Sequence, residues 1–276
     1  MGHVLGDDIF SVFFLMHEFG VHTLPRSQIA VILPAQYREV VEASASVREH
    51  FRLLSDNPVA FYDGDTPTAI SGQPACFPRL LFGWRYFGYS NLDWLDAVKP
   101  TETVVSAFRR HAMQLFGLED SMDPSARSSC SVLFIVKDQA TAAHHFSIAN
   151  VDELILALRE RTACSVERVT WAGMPLQQQV SAIYKKRIVV SLHGSDLMNC
   201  IFQPLRSGII VADFCEENGK CGWRSREVDL WFSRFPTRLL NLIPSNGHLV
   251  TWNGQAATWN VERFIEVLLY MNATLG

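Results

Sequence analysis

The second half of the chain alternates between continuous apolar runs and segments with helical periodicity. The sequence predicts β-strands over residues 132–136, 166–171, 188–192 and 209–214. The amphipathic segments between them predict helices over residues 151–161, 176–185 and 195–202. Strands that alternate with helices form parallel βαβ units, so we expect an α/β fold in this half.

The first half contains the same two kinds of element in a less regular order. Helical periodicity extends over residues 5–19, 36–54 and 101–117, and strand-like runs over 28–33, 59–62 and 76–84. A polar, serine-containing stretch at 119–129 is the best candidate for a linker. We therefore predict two α/β domains with a cleft between them, residues 1–125 and residues 126–276, and a final helix over 260–271 capped by Asn260.

Composition and charge narrow the function classes. A chain of 276 residues, 48% of them hydrophobic, can bury a large core. The net charge of −4 and the lack of a long basic run argue against a nucleic-acid partner. No apolar run reaches the roughly 18 residues that span a bilayer. The apolar run 9–16 follows Asp7 and Asp8, unlike a signal peptide, so we expect either a cytoplasmic protein or one whose targeting segment is missing from this chain.

The six cysteines do not indicate a metal site, because none of them forms a Cys-x-x-Cys pair. Cys215 and Cys221 flank a turn-like segment, and a local disulfide and two reduced thiols are equally compatible with that spacing. The tripeptide Asn272-Ala273-Thr274 has the form of a glycosylation sequon, a pattern that also arises easily by chance.

Polar residues follow one of the predicted strands. Residues 188–202 read IVVSLHGSDLMNCIF, so His193 and Gly194 come directly after the strand and Ser195 opens the next helix. Ligands of parallel sheets bind beyond the carboxyl ends of the strands, and the free N–H groups of a helix N-terminus suit a phosphate. The alternative is plain turn chemistry, in which Gly194 turns the chain and Ser195 or Asp196 caps the helix.

The stretch that contains this turn resembles the C-terminal core of the family-61 glycosyltransferases. In that family a strand leads into His-Gly-Ala-Gly-Leu-x-Asn, an aromatic residue, a proline, a glycine and a further strand that ends in glutamate. The matching positions here are His193, Gly194, Leu197, Asn199, Phe202, Pro204 and Gly208.

Shorter motifs extend the resemblance over about residues 2–215. Asn150, Glu153 and Leu154 match the family's Asn-x-x-Glu-Leu helix, and Gln179 matches the glutamine of its Glu-Gln pair. At the front, GHVLGDDIFSVFFLMHEFG is similar to the family's Gly-His-x-x-x-Asp opening, and ACFPRLLFG is similar to its Cys-Phe strand. The order and spacing of these motifs together make the resemblance specific.

The resemblance implies a GT-B fold of two Rossmann-like domains and an inverting transfer from a UDP-sugar, with no essential metal and no other cofactor. The family includes plant transferases that decorate xylan and animal enzymes that place N-acetylglucosamine on proteins or on O-mannose. It therefore implies N-acetylglucosamine or xylose as the sugar, and a glycan or glycoprotein as the acceptor. Members are mostly luminal proteins of the secretory pathway, which implies the Golgi or endoplasmic reticulum, with a membrane link only through a targeting anchor absent from this chain.

The same resemblance assigns candidate site residues to both sides of the expected cleft. In the N-terminal domain, Asp7 is the candidate catalytic base for the acceptor hydroxyl, and His3 lies one helical turn before it. The candidate UDP-sugar-binding residues of the C-terminal domain are Lys137, His145 or its neighbour His144, His193, Gly194, Ser195, Asp196, Asn199 and Asp213.

Three of these positions depart from the family pattern. The His-Gly-Ala-Gly turn reads His-Gly-Ser-Asp, so Asp196 brings a carboxylate to the place where a diphosphate would approach. Lys137 stands where an arginine is usual and Asp213 where a glutamate is usual. A lysine neutralises a phosphate as a point charge and not as a bidentate fork. The alternative function is therefore a nucleotide- or carbohydrate-binding relative that has lost catalysis.

One further motif concerns metal binding. Asp63-Gly64-Asp65 has the Asp-x-Asp form that binds a metal in the other glycosyltransferase fold. The glycine, threonine and proline around it are typical of a turn, so we predict no metal site there.

Overall fold

The computed structural model describes ten segments of the chain. These are residues 9–62, 69–70, 73–74, 102–118, 130–137, 147–192, 195–212, 238–242, 249–253 and 256–275. The predicted strand at 76–84, the linker at 119–129 and the turn at 63–65 lie outside the described residues.

Strands and α-helices are numbered in chain order. The strands are β1 (Ile32–Pro34), β2 (Ala60–Tyr62), β3 (Ala69–Ile70), β4 (Gln73–Pro74), β5 (Ser131–Ile135), β6 (Ser147–Ile148), β7 (Ser165–Val169), β8 (Ile188–Leu192), β9 (Gly208–Ala212), β10 (Arg238–Leu242), β11 (Val250–Asn253) and β12 (Ala256–Trp259). The α-helices are α1 (Ser11–Glu18), α2 (Arg38–Ala43), α3 (Ala45–Phe51), α4 (Glu102–Leu115), α5 (Val151–Arg161), α6 (Leu176–Ile183) and α7 (Val261–Thr274). A 3₁₀-helix of eight residues covers Ser195–Phe202.

A parallel five-stranded sheet forms the centre of the described structure. Its strand order is β10-β9-β8-β5-β7, and every neighbouring pair is parallel. Counted from β5, this is the doubly wound order 2-1-3-4-5. The predicted α/β fold with parallel strands is thereby confirmed, while the division into two Rossmann-like domains of GT-B type stays a prediction.

Strands β5, β8 and β9 are buried on both faces, as their continuous apolar sequences require, whereas the edge strand β7 exposes Glu167 and Arg168. Side chains alternate between the faces, so Leu133 and Val189 lie in one hydrophobic cluster while Val132 and Val190 lie in the other. Helix α6 covers the first face, and helices α5 and α7 cover the second. The result is a three-layer α/β/α arrangement.

The N-terminal segment packs on the face that α6 covers. Helices α1 and α4 share one hydrophobic cluster with α6 and the sheet, and the Phe108 ring of α4 stacks on Phe202 with the centroids 5.8 Å apart. Its own strands β1 and β2 form a separate parallel pair. Glu49 of α3 accepts a hydrogen bond of 2.9 Å from the backbone N–H of Leu176, at the start of α6. The predicted domain boundary after residue 125 stays a prediction.

A small second sheet, in the order β11-β12-β6, joins the end of the chain to the start of α5. Asn150, the first residue of the Asn-x-x-Glu motif, makes two hydrogen bonds there. Its amide donates to the carbonyl of Trp259 at 2.8 Å and accepts from the N–H of Trp259 at 3.0 Å. This family-motif residue is therefore bonded to the backbone of β12.

The C-terminal helix predicted at 260–271 is confirmed as α7, and the side chain of Asn260 accepts from Arg263 N–H as its cap. Asn272 of the sequon lies in this helix and accepts a hydrogen bond of 2.7 Å from Arg187. Because the amide of Asn272 is held inside a helix, the structure favours a packing role for this tripeptide.

Several element boundaries differ from the sequence prediction. The helix predicted over 36–54 is divided at Ser44, whose extended backbone starts a new helix and whose hydroxyl accepts from Val47 N–H. Serine competes with helix continuation in this way because its side chain satisfies a free N–H at a helix start. The strand predicted at 28–33 begins only at Ile32, after a short 3₁₀ turn. Residues 195–202 form a 3₁₀-helix and not an α-helix.

The described residues contain a disulfide that the sequence analysis did not consider. Cys130 and Cys164 form a disulfide across a sequence separation of 34 residues, with their Cα atoms 4.5 Å apart. It joins the residues just before β5 and β7. Cys200 is a buried thiol, and Cys215 and Cys221 lie outside the described residues.

Candidate ligand site at the strand ends of the sheet

The topology of the central sheet has a switch point between the carboxyl ends of β5 and β8, the position at which doubly wound folds carry a ligand crevice. The connection that leaves β5 runs through α5 on one face of the sheet, whereas the connection that leaves β8 runs through the 3₁₀-helix Ser195–Phe202 on the other face. Ligands of doubly wound sheets bind at such a switch point, because the two connections diverge and leave the strand ends uncovered.

Ser191 lies near the carboxyl end of β8, beside the switch point, and is fully buried. The ladder between β5 and β8 ends at the pair Phe134 and Val190. Beyond it, the hydroxyl of Ser191 lies 3.3 Å from the carbonyl oxygen of Ile135 and 3.1 Å from that of Leu192. The serine hydroxyl therefore makes a hydrogen bond between β8 and β5 just beyond the last backbone pair. The sequence signal was a single small polar residue within an apolar strand, and the sequence analysis did not use it.

Lys137 lies on the β5 side of the crevice. It follows Ile135, the last residue of β5, by two positions and is half-buried. The preceding residue, Val136, donates its N–H to the carbonyl of Val169 at 2.8 Å, which extends the pairing with β7 up to this point. The ammonium of Lys137 is the predicted phosphate partner, and the sheet brings its backbone to the edge where that role requires it.

Two other predicted residues follow neighbouring strands directly in the chain. His193 comes after Leu192, the last residue of β8, and Asp213 comes after Ala212, the last residue of β9. Both lie outside the described residues, as do His3, Asp7, His144, His145 and Gly194. Together with Lys137, the sequence assigns a polar candidate to the carboxyl ends of three adjacent strands, β5, β8 and β9.

Ser195 and Asp196 begin the 3₁₀-helix that follows the turn. A helix start on the β8 side of the switch point has free backbone N–H groups, which favour an anion. Asp196 is negatively charged, and a like charge close to this helix start would oppose the same anion.

Asn199 has a different surrounding from the one expected of a ligand contact. It is only 7% exposed, and its side-chain N–H donates to Oε1 of Gln179 at 2.6 Å. Gln179 in turn donates to the carbonyl of Met174 at 2.6 Å. The structure thus brings together two residues that the resemblance had matched separately, one in the His-Gly motif and one in the Glu-Gln motif.

Arg109 of α4 is a residue that the sequence analysis missed. Its guanidinium is buried, with 4% of the residue exposed. Nε donates to the carbonyl of Phe202 at 3.1 Å and Nη2 to the carbonyl of Tyr184 at 3.4 Å. The N-terminal segment is therefore bonded to the end of the 3₁₀-helix that follows the predicted turn. No sequence signal links positions 93 residues apart.

The electrostatics of the described part of this helix are simple. Burial raises the pKa of the Cys200 thiol well above its ordinary value, which keeps it protonated and unreactive. Among the described residues, no group of three or more His, Cys, Asp or Glu side chains is arranged to hold a metal ion. The absence of an essential metal stays a prediction.

The fold and its crevice define a doubly wound α/β protein with its ligand site expected at the β5–β8 switch point. The model of the family "Glycosyltransferase 61" matches residues 2–210 of the chain. The match covers most of the chain, so the protein belongs to the glycosyltransferase 61 family, and the resemblance found in the sequence is confirmed. Glycosyl transfer is therefore its reaction class.

One further comparison and one observation on the helices complete this description. No curated protein gives a significant match to the chain. Within the part of the chain that the structure describes, no helix has both the length and the apolar character needed to cross a bilayer.

Proposed function

We propose that the protein is an inverting glycosyltransferase that moves N-acetylglucosamine or xylose from a UDP-sugar to a glycan or protein acceptor. The observation that supports this most is the position of the family's phosphate-binding candidates. Lys137 follows β5 and His193 follows β8, so the two sides of one switch-point crevice each supply a candidate.

The proposed reaction assigns a separate task to each residue. Asp7 accepts the proton of the acceptor hydroxyl while that oxygen attacks the anomeric carbon and the bond to UDP breaks. Lys137 and the backbone N–H groups at Ser195 stabilise the negative charge on the departing diphosphate. A lysine and a helix N-terminus supply this stabilisation without a cation, so we expect turnover to survive a chelator such as EDTA.

The proposal includes a two-domain GT-B arrangement with the acceptor on the N-terminal side. The hydrogen bond from Leu176 to Glu49 supports it, because α6 starts beyond the carboxyl end of β7 and the N-terminal segment reaches that same edge. The disulfide between Cys130 and Cys164 supports a luminal location, because disulfides persist in oxidising compartments.

A second candidate function is a nucleotide- or carbohydrate-binding relative without catalysis. Asp196 favours it, because a carboxylate at the start of the 3₁₀-helix opposes an incoming diphosphate. Lys137 in place of arginine favours it as well, since a point charge orients a diphosphate less strictly.

Calorimetry with UDP, followed by a transfer assay with candidate UDP-sugars, tests the proposal. UDP binding together with turnover supports the glycosyltransferase, and UDP binding without turnover supports the second candidate. No binding of UDP contradicts both functions. His193→Ala should lower UDP affinity or turnover while circular dichroism stays unchanged, and unaltered kinetics would make His193 a turn residue.

A further inference from the structure

We propose that Gln179 and Asn199 form a positioning pair that fixes the 3₁₀-helix following the donor-binding turn, and that Asn199 does not touch the donor. This inference rests on the proposed function for its link to UDP. It changes the role of Asn199 from a substrate contact to a contact inside the protein.

The geometry of the pair carries the inference. Asn199 is a buried polar side chain of this helix, and its N–H group donates to Gln179 Oε1 at 2.6 Å. Gln179 is 3% exposed and uses its own N–H to reach the carbonyl of Met174 at 2.6 Å. The chain of hydrogen bonds therefore runs from the helix after β8, through α6, to the loop after β7.

The position of Asn199 along the helix explains why this contact matters to the turn. A 3₁₀-helix rises about 2.0 Å per residue, so Ser195 lies roughly 8 Å before Asn199. The far end of the helix is held separately, by Phe202 packing on Phe108 and by the bond from Arg109. Asn199 supplies a polar contact midway along the helix, so its loss leaves the backbone of Ser195 less firmly placed.

Burial argues against a direct contact between Asn199 and a ligand. The neighbouring residues Leu197 and Cys200 are 1% and 3% exposed and belong to the hydrophobic cluster around α6. A ligand that bonded to Asn199 would have to reach it inside this cluster, where the residue is 7% exposed and one N–H of its amide already donates to Gln179. A ligand that displaced Gln179 would leave a buried amide oxygen without its donor, at a cost of about 1–3 kcal/mol.

Near-isosteric apolar substitutions separate the two roles. Gln179→Met leaves the Asn199 amide without its acceptor and the Met174 carbonyl without its donor, and Asn199→Leu leaves the Gln179 amide oxygen without its donor, so each should weaken UDP binding about tenfold. The double variant replaces both amides by apolar side chains, so no buried amide of the pair is left unpaired and only the Met174 carbonyl lacks its Gln179 donor. We expect its UDP dissociation constant to lie within about threefold of the wild-type value. If Asn199 bonds to UDP directly, Gln179→Met should bind normally and the double variant should stay weak, and that result overturns the inference.

Two controls distinguish positioning from general destabilisation. Gln178→Ala changes the same residue type at the neighbouring, exposed position of α6 and should leave UDP affinity unchanged. Ile265→Val removes a methylene from the hydrophobic cluster on the opposite face of the sheet and should lower the melting temperature without changing UDP affinity. If a single variant does not fold, the UDP affinity of the double variant alone distinguishes a positioning pair from a direct contact with UDP.

Hydrogen exchange tests the pair independently of the proposed function. Gln179→Met should accelerate amide exchange within residues 195–202 relative to Gln178→Ala, whether or not the protein binds UDP. Unchanged exchange there overturns the positioning role. If the wild-type protein binds no UDP but Gln179→Met still accelerates exchange, the contact between the two side chains is retained. That result rejects only the glycosyltransferase proposal.

Discussion

The two ends of the central sheet differ in what their residues are bonded to. At the amino end, Cys130 is joined to Cys164 before β5 and β7, and the hydroxyl of Ser131 accepts from Arg187 N–H at 3.0 Å. The side chain of Arg187 donates a hydrogen bond to Asn272 of α7, so residues at this end are bonded to other parts of the protein. At the carboxyl end, the ladder between β5 and β8 stops early and the family's motif residues follow the strands.

The difference teaches that stability and ligand chemistry occupy opposite ends of the same strands. The amino end holds a disulfide and the bonds of Ser131 and Arg187, and the carboxyl end carries Lys137 and leads into His193. Substitutions at the amino end should therefore change the free energy of unfolding and leave UDP affinity alone. Substitutions at the carboxyl end should do the reverse.

The disulfide should give the largest effect on stability. Replacing both Cys130 and Cys164 with alanine should lower the free energy of unfolding by about 2–4 kcal/mol, because the unfolded chain regains the freedom of a long loop. Urea denaturation measures the loss, and UDP affinity of the folded variant should be unchanged. Alkylation of the unreduced wild type followed by mass spectrometry is the control. Labelling of both thiols would show that no disulfide forms.

Gly208, at the start of β9, should give the next largest effect. A Cβ at this position would lie 2.9 Å from Cγ of Met271 in α7 and 3.2 Å from Cδ1 of Leu275, the residue that follows α7. Gly208→Ala should therefore lower the free energy of unfolding by about 1–3 kcal/mol through overpacking, without altering UDP affinity. In a Met271→Ala background the same substitution should cost less, because room has been made. Equal cost in both backgrounds would remove Met271 as the cause.

Asp196 should show the opposite behaviour. At a separation of ~6 Å and an effective dielectric of ~20, a carboxylate and one phosphate charge repel by about 3 kcal/mol. A carboxylate near a helix start stabilises the helix by only about 0.3–1 kcal/mol. Asp196→Gly should therefore tighten UDP binding and lower the melting temperature slightly. Weaker binding of UDP by this variant would make Asp196 a donor contact.

Mild acid should lower the free energy of unfolding through histidines of the N-terminal segment, and not through residues at either end of the sheet. Burial lowers the pKa of His17, His50 and His111, and the neighbouring His22 lowers that of His17 further. The unfolded chain therefore binds protons more readily, so the free energy of unfolding should fall as the pH decreases below about 6.5. Urea midpoints at pH 7.5 and 5.5 measure this fall.

A variant identifies one source of the pH dependence. His111 donates from Nε2 to the carbonyl of Leu53 at 2.6 Å, a bond that a glutamine amide can replace. His111→Gln should flatten the decrease in stability, and an unchanged profile would exclude His111 as a contributor.

The sequence predicted most of the central fold because its evidence was local. The apolar runs of β5, β8 and β9 and the periodicity of α5 and α7 are each visible within a few residues. Strand β6 has two residues and pairs with β12 more than a hundred positions away, so it has no comparable local pattern.

The candidate site was predictable only in part, for the same reason. Lys137, His193 and Asp213 were found because polar residues directly follow apolar strands. The contacts of Asn199 with Gln179 and of Arg109 with Phe202 depend on packing between distant segments. Polar residues such as Ser191 give no signal of the crevice until the strand order is known.

The central claim is that the carboxyl end of the sheet binds the nucleotide donor, and a matched pair of lysine variants tests it most directly. Lys137 follows β5 at this end, whereas Lys185 precedes β8 at the amino end and is exposed. Each variant, Lys137→Ala and Lys185→Ala, removes one positive charge, and both are measured by calorimetry with UDP at one salt concentration. We expect Lys137→Ala to weaken UDP binding about tenfold, which corresponds to about 1.4 kcal/mol, and Lys185→Ala to leave it unchanged. Equal affinities of the two variants would contradict the account.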